Sequence, residues 1–298
     1  MSVEGRVRVA TVVTHRRPKE TGPALEVLMA VARAAGARLR FDQTEVDKHG
    51  LVPAEGLELC TVDSPAANFG ADDVDICFAL GGDGTILRAL RTYAGKGVPV
   101  FAVNFGEIGF LATVERDQAR LGFERAFARK FDVLALPGIA VRAGGGSWIA
   151  INDVSVQRQH GKRVASLAYS VGRDEIGRVR CDGLVVATPA GSTGYNLANG
   201  GPVMAWGVEG MAVSFIAPHS LTARALVVAP GDTLRIENQS TEDDEVDVEV
   251  DGRPVLTIGP GGRLEAEFVD AQGMLAQLEG VNFYQRLHEK FGRLATLP

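Results

Sequence analysis

The chain has 298 residues, of which 46% are hydrophobic and 23% charged, and its formal net charge is −6. This length provides for a sizeable core and for two domains, with one large α/β domain as the alternative. The acidic balance gives no basic field for nucleic acid or an anionic membrane, and the longest apolar runs fall short of the ~20 residues of a spanning helix. We therefore expect a cytoplasmic protein whose partners include no nucleic acid and no membrane.

The first third of the chain alternates strand-like and helix-like segments. Apolar and β-branched runs predict strands at 6–13, 37–42, 75–82 and 98–105, and helical spacing of apolar residues predicts helices at 21–36 and 85–97. Alternating strands and helices are typical of a parallel sheet with crossover helices. We predict an α/β N-terminal domain with such a sheet.

The pattern changes after a predicted helix at 117–130, where short strands, the first of them predicted at 147–158, follow one another between glycine, asparagine and aspartate. These predict a β-rich, sandwich-like second domain. Residues 282–294 return to helical spacing and are expected to pack back on the first domain. The predicted domains are 1–116 completed by 281–298, and 117–280.

An acidic run at 241–252 alternates valine with acidic residues and ends in Asp251-Gly252, a hairpin-turn signal. Two interpretations stay open. The run is a metal-binding cluster, or it is a solvated strand face that discourages edge pairing.

The three cysteines, Cys60, Cys77 and Cys181, are scattered, and the five histidines show no metal-ligand spacing. We expect reduced, semi-buried thiols, no disulfide framework and no metal site of the zinc type.

A glycine-rich turn, GGDGT, follows the apolar run at 75–82 and opens a predicted helix. Gly81, Gly82 and Gly84 let the backbone turn sharply and let a ligand come close, and a helix N-terminus attracts phosphate. The loop has no lysine to bind phosphate, but it has Asp83. Asp83 is either the helix N-cap or a functional acid, and Thr85 is an alternative cap. The functional roles open to Asp83 are accepting a proton from an attacking hydroxyl and holding Mg²⁺.

A second glycine-rich loop, at 187–202, follows the apolar run GLVVA and is rich in small and hydrogen-bonding side chains. Loops of this kind often line ligand sites, although an irregular connection is the other interpretation. Arg180 and Asp182 lie near the same predicted strand, and Asn152 and Asp153 lie beside another. They are turn formers, or they converge with both loops on one cleft.

Five segments resemble those of the NAD kinase family: GGDGTILRAL, NFGEIGFLATVE, INDVSVQR, DGLVVATPAGSTGYNLANGGP and, at 216–230, IAPHSLTARALVVAP. They occur in family order from about residue 78 to residue 230. Lipid kinases of the diacylglycerol type share the GGDGT loop alone, whereas GGDGT followed at this distance by TP-x-GST-x-Y is specific.

The resemblance implies a role for each matching residue. Asp83 would take the proton from the 2′-hydroxyl of the adenosine ribose, and Asp182 would reach the nicotinamide end. The other matches bind the dinucleotide: Gly84 and Arg88 near its phosphates, Asn152 and Asp153 at the ribose, Arg163 and Arg180 near the phosphates, Thr193, Gly194, Tyr195, Asn196, Leu197 and Ala198 around the adenine with Tyr195 stacked on it, and Arg253 as a further contact.

The resemblance also implies the reaction and the assembly. ATP or polyphosphate, with Mg²⁺ or another divalent cation, would phosphorylate NAD to NADP between two domains that face each other, in a homodimer or homotetramer. The chain departs from the family at Gly194, where alanine is more common, and at Ala190, where threonine is frequent. Both changes bear on fine specificity, and the resemblance assigns no role to Glu107.

Two other functions remain open at this point. A lipid kinase of the diacylglycerol type would use the same loop and acid, but it would need an apolar or interfacial surface, and the sequence has no basic amphipathic helix. A non-catalytic dinucleotide-binding regulator would keep the cleft without needing Asp83.

Overall fold

The structure is a computed structural model that describes residues 5–60, 73–106, 109–241, 244–280 and 282–292. The chain forms two compact units. Unit 1 is Met1–Ala135 with Gly273–Pro298, and unit 2 is Leu136–Gln272. Within the described residues, no helix is long and apolar enough to cross a membrane.

Unit 1 contains a parallel sheet. Its strands are β1 (Val9–Thr14), β2 (Arg38–Asp42), β3 (Leu57–Cys60), β4 (Ile76–Gly81), β5 (Pro99–Asn104) and the short β6 (Val114–Glu115). The strand order is β5-β4-β1-β2-β3, with β6 beside β5, and every one of these neighbours is parallel. The predicted α/β domain is confirmed.

Helices cover both faces of this sheet. They are α1 (Pro18–Ala35), α2 (Gln43–His49), α3 (Asp83–Thr92) and α4 (Ala119–Phe127), with a one-turn 3-10 helix at Arg116–Gln118. On one face, Phe78 of β4 packs its ring 5.5 Å from that of Phe123 and 5.2 Å from that of Phe127, both on α4. On the other face, the Thr11 hydroxyl is 2.7 Å from that of Tyr93, which follows α3. Successive residues of a strand point to opposite faces of the sheet, so each strand contributes side chains to the helical layers on both faces.

Unit 2 is made almost wholly of strands. They are β7 (Asp132–Ala143), β8 (Gly146–Ala150), β9 (Asp153–Arg158), β10 (Ala165–Val171), β11 (Asp174–Cys181), β12 (Gly183–Ala187), β13 (Met211–Ile216), β14 (Leu226–Val228), β15 (Thr233–Asn238), β16 (Val246–Val250), β17 (Arg253–Ile258) and β18 (Arg263–Gln277). The one-turn helix α5 (Tyr195–Ala198) follows a 3-10 turn at Gly191–Thr193, and α6 (Phe283–Phe291) belongs to unit 1.

The strands of unit 2 form two layers around one apolar core. One layer has the order β14-β13-β12-β9-β16-β17, and the other has the order β11-β10-β15-β18-β7-β8. Val154 and Val186 from the first layer share a buried cluster with Leu167, Leu234 and Leu264 from the second. This arrangement confirms the sandwich-like second domain.

The unit boundaries differ from the predicted 116/117 and 280/281. Helix α4 lies in unit 1 because Phe123 and Phe127 complete the aromatic cluster around Phe78. Unit 1 also resumes at Gly273, because Met274 and Leu275 of β18 pair in parallel with the start of β5.

The acidic run forms the β16–β17 hairpin that Asp251-Gly252 predicts, with φ of 49° and 68° at these two residues. Its valines are buried and its acids face outward, as expected. The edge-protection interpretation is wrong, because β16 lies between β9 and β17 and is not an edge strand. Glu107 and residues 242–243 lie outside the described residues.

The three cysteines are free, and all are at most 3% exposed, so they are more deeply buried than expected. Burial raises the pKa of the Cys77 and Cys181 thiols to about 12. These thiols therefore stay protonated and unreactive.

Candidate functional site

The GGDGT turn joins the buried strand β4 to helix α3. A Cβ on Gly81 would lie 2.3 Å from Oγ1 of Thr85, so only glycine is accommodated at the end of the strand. The interpretation of Asp83 or Thr85 as the helix cap is wrong. Gly82 is the N-cap residue, no side chain bonds to the cap, and Thr85 lies in the first turn, packed beneath Gly81.

The carboxylate of Asp83 is held by the chain that follows β5. Its Oδ2 accepts the N–H of Phe110 and its Oδ1 accepts the N–H of Leu111, each at 3.2 Å. Gly109 is needed here, because a Cβ at that position would lie 2.8 Å from Oδ1. The side chain remains 36% exposed, so the carboxylate is fixed in place and still accessible. The segment NFGEIGFLATVE thus supplies the two donors that orient Asp83.

Arg88, on α3, is anchored at the carboxyl end of β1. Its guanidinium donates to the carbonyl of Thr14 at 2.8 Å and to Oε1 of Glu45 at 3.2 Å. Glu45 is 1% exposed and also pairs with Lys48, so this carboxylate is a buried anchor for cations. The Arg88 side chain is 34% exposed and keeps further N–H donors for an anion.

Two cations of α6, which the sequence did not predict as site residues, lie in the Asp83 region. Arg286 is 7% exposed and donates to the carbonyls of Gly109 and Ala112, and Lys290 lies 3.7 Å from Oδ2 of Asp83. No local pattern could reveal them, because α6 follows β18 at the far end of the chain.

In unit 2, the turn that carries Asn152 and Asp153 is fixed by Asp251. The Asp251 carboxylate accepts the backbone N–H groups of Ile151, Asn152 and Asp153 at 3.1, 2.7 and 3.1 Å. This bond set interrupts the single strand predicted at 147–158 and divides it into β8 and β9. The Asn152 side chain therefore extends from a turn whose backbone is fixed by these three hydrogen bonds.

Asp153 and Asn152 offer different hydrogen-bonding chemistry. Burial, and then the charges of Asp251 and Glu249, raise the pKa of Asp153 from 3.8 to about 7. Oδ1 of Asn152 is buried without a hydrogen-bond partner among the described residues. Both groups are suited to the hydroxyls of a sugar.

The loop after β12 holds its shape with its own polar side chains. Gly191 is packed against the Asn152 carbonyl, which a Cβ would approach to 2.1 Å. Ser192 is buried, donates to the Pro189 carbonyl and accepts the Met204 N–H. Asn196 is also buried, and its amide donates to the carbonyls of Ser192 and Pro202. Several polar residues of this loop therefore maintain its fold.

The remaining predicted adenine-site residues lie on the accessible side of this loop. Tyr195 is half-buried, and its hydroxyl donates to Oε1 of Gln157 at 3.3 Å. Thr193 bonds the Ala190 carbonyl, and Leu197 is half-buried, while Gly194 and Ala198 are exposed.

The other predicted residues of unit 2 are charged. Asp182 is paired with Nε of Arg158 at 2.6 Å, so it is not an isolated acceptor. Arg180 lies on β11, Arg163 precedes β10 and Arg253 begins β17, and all three are exposed. In the described part of the chain, none of these three guanidinium groups has a hydrogen-bond or ion-pair partner, so their donors are available to an anion.

In the described ranges, no group of three or more His, Cys, Asp or Glu side chains could hold a metal ion.

Two family models match the chain: the ATP-NAD kinase N-terminal domain over residues 15–131 and the ATP-NAD kinase C-terminal domain over residues 151–271. The NAD kinase of Symbiobacterium thermophilum is 31% identical over 288 residues, which are 95% of this chain and 98% of that protein. The NAD kinase of Bifidobacterium longum is 32% identical over 294 residues, covering 95% and 82%.

Two solved structures have a similar fold. Yeast NADH kinase complexed with NADH superposes with a TM-score of 0.86 at 19% identity, covering 99% of this chain and 90% of that one. An NAD kinase from Archaeoglobus fulgidus in complex with ATP gives a TM-score of 0.67 at 22% identity, covering 95% and 98%.

Proposed function

The chain belongs to the ATP-NAD kinase family and phosphorylates an alcohol group of NAD, and from this premise we propose that Asp83 is the base of the reaction. Its carboxylate accepts the proton of the 2′-hydroxyl of the adenosine ribose. The freed electron pair of that oxygen forms a bond to the γ-phosphorus of ATP. The bond from that phosphorus to the β,γ-bridging oxygen breaks, ADP leaves with its electrons, and the product is NADP.

The geometry of Asp83 is the observation that carries this proposal. Two backbone N–H groups hold its carboxylate, and it is still 36% exposed. An N-cap role is excluded, because the helix begins after Gly82 with no side-chain cap. A carboxylate oriented in this way and open to a ligand is placed to accept a proton.

The phosphoryl donor is ATP, which enters as its Mg²⁺ complex, and the metal is therefore part of a substrate. The A. fulgidus NAD kinase in complex with ATP supports this choice of donor. Arg88 and the backbone N–H groups at the start of α3 are suited to the phosphates, because a helix N-terminus favours anions. Polyphosphate is the alternative donor.

Unit 2 binds the dinucleotide in this proposal. Asn152 and Asp153 bind ribose hydroxyls, Tyr195 stacks on the adenine, and the arginines at 163, 180 and 253 bind phosphates. Asp182 orients the nicotinamide amide while paired with Arg158. The homodimer or homotetramer and the cytoplasmic location stay predictions.

Replacing Asp83 with asparagine tests the role of the base. Asp83→Asn keeps the size of the side chain, and its single amide oxygen can still accept one of the two N–H groups of Phe110 and Leu111, so the variant should fold and bind NAD. Its kcat should fall by roughly 10² or more, because asparagine cannot take the proton. Steady-state kinetics with NAD and Mg-ATP measure this, and Asp117→Asn, at an exposed aspartate of the same unit, is the control.

Extra Mg²⁺ separates a base from a metal-holding acid. The rate of Asp83→Asn should not recover as Mg²⁺ is raised. A kcat close to that of the parent would refute the proposed base, and recovery with Mg²⁺ would assign Asp83 to metal binding instead.

A further inference from the structure

The phosphate-binding turn of unit 1 carries a carboxylate but no lysine in its own sequence, CFALGGDGTILRALR. This is a physical problem for phosphoryl transfer. Asp83 repels the phosphate oxygens that must approach it, and transferring phosphoryl groups are usually stabilised by cations aimed at the developing charge. A cation next to Asp83 would reduce this repulsion.

Lys290 of α6 places such a cation beside Asp83. Its Nζ lies 3.7 Å from Oδ2, the same oxygen that accepts the N–H of Phe110. The ammonium also lies 4.8 Å from the centroid of the Phe110 ring, within cation–π range. One loop residue therefore contacts both members of the ion pair.

Helix α6 packs against the loop that holds Asp83 and forms hydrogen bonds with it. Asn282 caps the helix by accepting the N–H of Gln285 at 2.8 Å. Phe283 and Phe291 pack their rings 6.1 and 5.8 Å from that of Phe110. Arg286, one turn before Lys290 on the same helix face, bonds the loop carbonyls. The position of Lys290 is thus set by packing at several points.

The contact differs from an ordinary surface ion pair. Exposed ion pairs contribute little to stability. Here the separation exceeds direct hydrogen-bond distance, and the lysine side chain is 32% exposed. Among the described residues, the ammonium donates no hydrogen bond, so its three N–H donors are available to a ligand at Asp83.

We propose that Lys290 is a catalytic residue that contacts the phosphoryl group during its transfer, so that α6 supplies the lysine that the GGDGT turn lacks. This inference rests on the proposed function. The ammonium pairs with Asp83 before the donor arrives. It then donates to the phosphoryl oxygens as negative charge develops on them, and it offsets their repulsion from the carboxylate.

The test compares Lys290→Gln, Lys290→Met and Lys290→Arg with the parent in steady-state kinetics with NAD and Mg-ATP. Methionine keeps the apolar stem over Phe110, so its loss of activity reports the charge alone. For both neutral variants, kcat should fall about 10- to 100-fold, while KM for NAD changes less than about threefold, because the lost contact acts in the transition state. Lys290→Arg should retain most of kcat.

Lys96→Gln is the matched control. Lys96 is another exposed lysine of unit 1 that lies over a tyrosine ring, 5.9 Å from its centroid. This variant should have the kcat of the parent. Circular dichroism and thermal unfolding of each variant show whether it is folded.

The outcomes separate this inference from the proposed function. If Asp83→Asn is inactive while Lys290→Gln and Lys290→Met stay within twofold of the parent kcat, Lys290 has no catalytic role and the base remains. If the neutral variants lose activity only through a raised KM for NAD, or if Lys290→Arg is as slow as they are, the proposed contact is also refuted. A fully active Asp83→Asn would instead remove the proposed base.

Discussion

Asp153 is the residue whose environment most strongly alters its protonation. Its carboxylate is buried near Asp251 and Glu249, and its pKa is raised to about 7. In the unfolded chain the same group titrates near its ordinary value of 3.8. Between these two pH values the folded protein binds a proton that the unfolded chain has released, so stability falls as pH rises through this window.

We therefore predict that Asp153→Asn, which resembles the protonated carboxyl group, removes this part of the pH dependence. Relative to the variant, the parent should lose up to about 4 kcal/mol of unfolding free energy between pH 4 and pH 7. Urea unfolding of both proteins without ligand, at several pH values across this range, measures the difference. A parent-minus-variant difference that is constant with pH would contradict the assigned environment.

At the scale of residues, the sequence indicated which residues are candidates for the site, but it did not indicate their local geometry. The turn around Asp83 was recognisable from its glycines and from the resemblance. The capping by Thr85 was wrong, because Thr85 packs beneath Gly81 in the first helical turn. The donors to Asp83 come from Phe110 and Leu111, and a backbone N–H carries no signature in the side-chain sequence.

Among the elements, α6 has the most specific structural role. Its Arg286 is buried, and burial lowers the pKa of its guanidinium. Its bonds to the carbonyls of Gly109 and Ala112 flank the two N–H groups that orient Asp83. Helix and loop therefore form one structural element around the carboxylate.

We predict that Arg286→Leu lowers both stability and activity. Losing a charged donor to two buried carbonyls should cost about 1–3 kcal/mol of unfolding free energy, and the freed loop should orient Asp83 less well, so kcat should fall. Urea unfolding and steady-state kinetics measure the two effects. His288→Gln, at an exposed position of the same helix, should change neither. An Arg286→Leu variant with the stability of the parent would show that α6 does not fasten the loop.

Elements were predictable where the apolar pattern was regular. Most strands and helices of the first third follow from it, with ends shifted by a few residues, as in α1, which starts at Pro18 because proline is tolerated in a first turn. The short α2 and β3 were not predicted. β7 was not predicted, since Pro137 and Gly138 interrupt its pattern. The split of 147–158 depends on Asp251, about a hundred residues later.

At the scale of the whole molecule, the two-unit organisation follows from the change in sequence pattern, but its boundaries do not. Helix α4 has the same amphipathic pattern whichever unit it joins, and only its contact with Phe78 decides. Likewise, β18 is one continuous strand whose first part pairs with β15 and whose last part pairs with β5. Long-range pairings of this kind leave no mark on local periodicity.

Product formation by the purified protein tests the central claim most directly. The protein is incubated with Mg-ATP and either NAD or an NAD analogue that lacks the 2′-hydroxyl of the adenosine ribose, and ADP and NADP are quantified, the latter with an NADP-specific dehydrogenase. We predict equal amounts of NADP and ADP from NAD, and only background ADP from the analogue. No NADP with either ATP or polyphosphate, or equal ADP release from NAD and the analogue, would contradict the account.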